Sequence, residues 1–168
     1  METIKDLTMI EDNYYKEFNE DIQSCESEDD VHDFVESIMK DFELNLESQN
    51  LYFGKATSDY LNAIIGYLVF ECQKYERDII HFNSMLTYSE QASSYISTSS
   101  YLTTVDLLFY SVKKICEEEG NEYPFYLKSY LSFSQNRAKE KQIVIAEIKA
   151  KLWKNLMEEN KKGEISWS

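Results

Sequence analysis

An all-α fold, a compact single-domain bundle of six to seven helices, is what this sequence predicts. Three observations carry that expectation. Glycine occurs four times and proline once in 168 residues, too sparsely for a fold built on tight turns. Apolar residues return at three- and four-residue spacing in one segment after another, the period of a helix face. Hydrophobic residues make up 43% of the chain, enough for one buried core at this length and too many for a disordered polymer.

Residues 1–28 read as an acidic N-terminal arm or weak helix carrying Ile4, Leu7, Ile10 or Met9, Tyr14 and Phe18. Residues 29–160 read as the helical domain and 161–168 as a flexible tail. Ser27, followed three residues later by Asp30, forms a variant of the capping box. A helix then runs to about Leu44 on Val31, Phe34, Val35, Ile38, Met39 and Phe42. Residues 45–56 read as a connector.

Thr57 or Ser58 is the expected cap of the next helix, with Asp59 placed for the helix dipole. Its stripe is Leu61, Ile64, Ile65, Leu68, Val69 and Cys72, and Glu76-Arg77-Asp78 breaks it. A shorter helix from Ile79 to Tyr88 carries Ile80, Phe82, Met85 and Leu86, and the Ser/Thr/Tyr-rich stretch 89–102 reads as a loop. Thr104 caps a helix striped by Val105, Leu108, Phe109, Val112 and Cys116, with Ile115 beside it, and Gly120 sits where a C-terminal glycine belongs. Pro124 occupies a first-turn position and leads Phe125, Leu127, Tyr130, Leu131 and Phe133. A long basic helix from about Asn136 to Asn160 closes the chain. Ile145, Ile148, Leu152 and Leu156 face inward there, with Ile143 nearby.

Charge is segregated along the chain. Residues 1–60 hold 17 acidic and 4 basic residues, residues 61–135 hold 9 and 5, and residues 136–168 hold 5 and 8. The net charge of −14 opposes autonomous nucleic-acid binding, whose affinity comes mainly from neutralised phosphates. A basic protein partner fits the acidic part better. Cys25, Cys72 and Cys116 show no paired spacing, which fits a reducing, cytoplasmic compartment. The acidic N-terminus does not read as a signal peptide, and no run reaches the roughly 18 apolar residues of a membrane span.

The chemistry-bearing motifs fail on inspection. Gly54-Lys55 lacks the phosphate loop's earlier glycine and following hydroxyl, since Gln49 and Ala56 stand there. It reads instead as a turn at a helix start. His32 and His81 lie in different helices and define no metal site, and no Ser or Cys has a partnered base in a known motif. The expectation is no catalytic residue, no cofactor and no metal. The candidate partner-binding residues are Glu28, Asp29, Asp30 and Asp33 at one helix start, and Glu117, Glu118 and Glu119 at another helix's end.

Read in order, FGKATSDYLNAIIGYLVFE (53–71), YERDIIHFNSML (75–86), TTVDLLFYSVKKI (103–115), YLKSYLSF (126–133) and KEKQIVIAEIKAKL (139–152) resemble the all-α domain of type IV secretion coupling proteins, the ATPases of conjugative DNA transfer. DDVHDFVESIM (29–39) resembles the helix that precedes this block. The family's "aGKT" step is here Arg137-Ala138-Lys139-Glu140-Lys141, which keeps only its basic character, and both nucleotide-binding motifs are absent. The resemblance implies a docking domain without ATPase activity of its own, monomeric alone and carried by a hexameric parent at the cytoplasmic face of the membrane. Its implied partners are the relaxase, relaxosome accessory proteins and the single-stranded DNA they carry. Arg137, Lys139, Lys141 and Lys149 are then the expected contacts to DNA or to the parent ATPase domain. The alternative is a free-standing acidic helical regulatory protein that shares only amphipathic patterning with that family.

Overall fold

One helix carries most of the packing between elements. The computed structural model describes residues 17–44, 51–73, 77 and 104–153. The helices among them are α1 (17–24), α2 (Glu28–Asp41), α3 (Leu51–Glu71), α4 (Thr104–Glu119), α5 (Phe125–Ser134) and α6 (Ala138–Ile148), the last running into a widened π turn at Lys149–Trp153. They form a compact all-helical bundle. The expected helix 79–88, the loop 89–102, residues 1–16, Leu156 and the tail lie outside the described residues.

The α3 helix touches α2, α5 and α6. Tyr60, Leu61, Ala63, Ile64, Ile65 and Gly66 are all buried, so its middle is covered on every side, as expected of a helix apolar all round. The stripe expected from sequence is therefore part of a fully enclosed segment. The cap expected at Thr57 or Ser58 is corrected: the helix begins at Leu51, so half of the expected connector is helical and Thr57 is fully buried inside it. Asp59 sits in the third turn, where it pairs with Lys55 at 2.7 Å and accepts from Ser132 Oγ at 2.9 Å, rather than serving the dipole. The helix ends at Glu71, before the expected break, which leaves Cys72 half-buried just past its end.

Close approach of α5 to α3 depends on Gly66, where a Cβ would lie 2.6 Å from the Cβ of Tyr126. Around that crossing runs an aromatic seam. Phe109 of α4 stacks on Tyr130 of α5 at 4.2 Å and 9°, and Tyr60 meets Phe133 at 4.6 Å. Burial, then a hydrogen bond to Glu71, raises the Tyr126 phenol above its ordinary range.

The N-terminal arm is docked where it is described. Phe18, Ile22 and Cys25 join the core, with Phe18 against Phe34 at 5.3 Å. Burial pushes the Cys25 thiol up to about 11. The α4 helix starts at Thr104, which makes that residue helical rather than the cap, and Pro124 is the N-cap of α5 rather than its first residue.

Two helix ends close in the same way. After α4, Asn121 N–H reaches the Cys116 carbonyl at 3.0 Å across Gly120, whose φ is 69°. After α2, Leu44 N–H reaches Met39 at 2.9 Å across Glu43, whose φ is 53°. This is the Schellman closure, and a residue with a Cβ is strained at its left-handed position. Glu43→Gly is therefore expected to stabilise the chain by about 0.5–1 kcal/mol, read as a higher urea midpoint. An unchanged or lower midpoint would remove the strain claim.

On α6 the expected inward residues Ile148 and Leu152 are buried, and Val144, which the sequence reading left out, joins them. Ile145 is half-buried and Ile143 is 44% exposed. Counting four by four from Val144 gives the buried line, with Ile145 at its edge.

Candidate functional site

Of the expected acidic cluster, two residues act within their own helix. Asp30 completes the capping box: its carboxylate accepts from the backbone N–H groups of Glu26 at 3.0 Å and Ser27 at 3.1 Å, and its own N–H donates to Ser27 Oγ. Those bonds, the one from Glu26 foremost, hold its pKa below the ordinary 3.8. Glu28 faces His32 at 3.2 Å, one turn away. Asp29 and Asp33 are exposed, and with Glu36, which sequence reading left out, they follow the i, i+4, i+7 spacing of a single helix face. The outward acidic ridge of α2 is therefore Asp29, Asp33 and Glu36, followed one turn later by Lys40.

Asp30 also sets a pH dependence. Its depressed folded pKa contributes stability that is present above 3.8 and is lost as pH falls through the folded value. Asp30→Asn is expected to unfold at lower urea than the parent near neutral pH, with the gap closing below pH 3.8. A gap of constant size across that range would contradict the assignment.

At the other acidic site, Glu117 accepts from the Tyr123 hydroxyl and lies 4.0 Å from Lys113, while Glu119 accepts from Asn121 at 3.1 Å. These carboxylates hold the turn after α4, and Glu118 is exposed. The basic residues do not gather into one stripe. Lys139 and Lys141, two positions apart on α6, point about 160° apart around its axis. Lys141 borders the buried side, Lys149 lies in the π turn, and Arg137 is the N-cap, its N–H bonded to Glu140 at 3.1 Å. Lys151, outside the expected set, donates to the Glu43 carbonyl at 2.9 Å and pairs with Glu147, tying α6 to the end of α2.

A polar crossing joins α2 to α3. Asn62, only 6% exposed, donates its amide hydrogens to the Ser58 carbonyl at 2.9 Å and the Ser58 hydroxyl at 3.2 Å. Its oxygen is thereby turned to His32 Nδ1 at 2.7 Å, which must be the donor. The imidazole also rests edge-on against Phe125. Beside this crossing opens a groove of about 450 Å³ lined by His32, Glu36, Met39, Lys40, Ser58 and Asn62. No sequence motif announces it, because its two walls are thirty residues apart. Only an asparagine inside an otherwise apolar run hinted at a buried polar contact.

Among the described residues there is no group of three or more His, Cys, Asp or Glu side chains able to hold a metal ion. Nor is any described helix long and apolar enough to cross a membrane. The Lys55–Asp59–Ser132 cluster joins α3 to α5 through bonds of 2.7–2.9 Å, and Lys55 acts there as a clasp rather than in a phosphate loop. Fold and surface thus define a helical bundle with an acidic flank on α2. The chain matches no family model, no curated protein and no solved structure.

Proposed function

We propose that this chain is a docking domain that captures a basic protein partner through the outward face of α2, in the manner of the substrate-recognition domain of a conjugative coupling protein. The observation that carries the reading is the exposed ridge Asp29, Asp33 and Glu36 on a chain of net charge −14. An acidic surface steers and orients a basic partner, and it repels the phosphate backbone at long range. The order of helical segments that resembles the coupling-protein domain supplies the choice of partner: the relaxase or an accessory relaxosome protein, with any DNA arriving bound to it. Arg137, Lys139, Lys141 and Lys149 then serve as separate contacts to that DNA or to the parent ATPase domain. Delivery, not chemistry, is the role, and the domain acts without a nucleotide of its own.

Pull-down against the relaxase and accessory proteins of a conjugative element tests this reading. Binding is expected at low salt and is expected to weaken steeply at physiological salt, because exposed charges are screened beyond about 8 Å there. Failure to retain any of them at low salt contradicts the proposal. So does tight, sequence-independent DNA binding by the chain alone in a gel-shift experiment at physiological salt.

A further inference from the structure

We infer that the groove between α2 and α3 seats an arginine side chain of the basic partner, an assignment that rests on the docking reading and gives it a specific anchor. A guanidinium offers five donors in a fixed planar fork and needs several converging acceptors. The groove's lining brings acceptor-bearing side chains from two helices: Glu36 of α2, and Ser58 and Asn62 of α3. Two of these acceptors, on Asn62 and Ser58, are held in advance of any ligand. Asn62 is fixed in orientation by its two bonds to Ser58 and the one from His32, so little ordering accompanies binding.

Shape agrees with charge. The Met39 side chain lines the same groove and offers a deformable apolar contact for an arginine's methylene stem. Glu36 belongs both to the groove and to the outward ridge with Asp29 and Asp33, so a partner steered to the ridge is carried to the opening. Lys40 also lines the groove, which leaves Glu36 as the carboxylate there for a single cation. A lysine, with a compact ammonium on a single point, matches the three separated acceptors less well than an arginine.

The test uses the whole chain, isotope-labelled, titrated with octa-arginine and octa-lysine peptides at low salt and followed by NMR. Octa-arginine is expected to shift the Asn62 side-chain amide and the Met39 methyl signal. Glu36→Gln, an exposed change on a helix surface, is expected to weaken octa-arginine at least about fivefold and octa-lysine by clearly less. If octa-arginine moves only the backbone signals of Asp29 and Asp33 while Asn62 and Met39 stay still, the groove assignment is overturned and the acidic docking surface stands. Equal losses for the two peptides on Glu36→Gln also overturn it. If neither peptide binds at low salt, both the groove and the docking surface fall.

Discussion

Phe109→Ala is expected to lower stability by about 3–5 kcal/mol. Phe109 is fully buried, stacks on Tyr130 at 4.2 Å and meets Tyr67 edge-on at 5.8 Å. Truncation loses the transfer free energy of a whole ring and leaves a cavity whose walls are themselves aromatic and cannot collapse into it. The stacked partner adds roughly 0.5–1.5 kcal/mol beyond area. For a chain of this length the loss corresponds to a melting temperature lower by roughly 10 °C. Phe109→Leu, which retains most of the volume, should cost far less. Chemical denaturation with an unchanged m value reads the difference, and a loss under about 1 kcal/mol for the alanine would show that α4 does not pack on α5 as described.

Gly66→Ala is expected to destabilise by about 1–3 kcal/mol, although alanine is the better helix former. In isolation the change favours the helix by about 1 kcal/mol. Here the new methyl would sit 2.6 Å from the Cβ of Tyr126 and 3.0 Å from Cζ of Phe125. A Cβ is fixed to its backbone, so relief requires α5 to move away from α3 as a unit, and the aromatic seam beside it loosens. Gly54, in the same helix, has nothing within 4 Å of an added Cβ, and Gly54→Ala is expected to stabilise by about 0.5–1 kcal/mol. Opposite signs for two glycines of one helix are hard to obtain by any route except close packing at one of them. Equal signs would show that α5 does not cross at Gly66.

That crossing is also where the sequence was least legible. Helix identity could be read because periodicity is local: Val31, Val35, Ile38 and Met39 announce α2, and Ser27 with Asp30 announces its start. Gly120 likewise reads as a helix end. What periodicity cannot reveal is whether a stripe is one wall of a core or part of a helix enclosed on all sides. Leu61, Ile64 and Leu68 looked like a face, and Tyr60, Ala63 and Gly66 complete the circle. The start of α3 was misplaced because Gly54 and Thr57 are turn and cap residues by preference, and tertiary packing overrides such preferences. Glu43 went unnoticed because left-handed positions normally advertise themselves with glycine.

The candidate site was legible by charge and opaque by geometry. Acidic density around residues 28–33 points to α2, but it does not separate Asp30, consumed by the cap, from Asp29 and Asp33. Glu36 lies one further turn along and was missed for want of a neighbouring acid. The groove itself joins His32 to Asn62 across thirty residues, and no local pattern encodes that meeting. For the basic residues nearness in sequence says little about a shared surface, since Lys139 and Lys141, two positions apart, lie on opposite sides of α6.

The central claim is that the outward face of α2 is what the partner binds. Its most direct test is a titration calorimetry comparison of the parent chain with the triple variant Asp29→Lys, Asp33→Lys, Glu36→Lys, using at low salt the relaxosome protein that the parent retains. All three positions are exposed, so circular dichroism should show the helices intact. Affinity is expected to fall by at least about tenfold, since like charges then face each other across the contact. Unchanged affinity in a folded triple variant would place the docking surface elsewhere on the molecule.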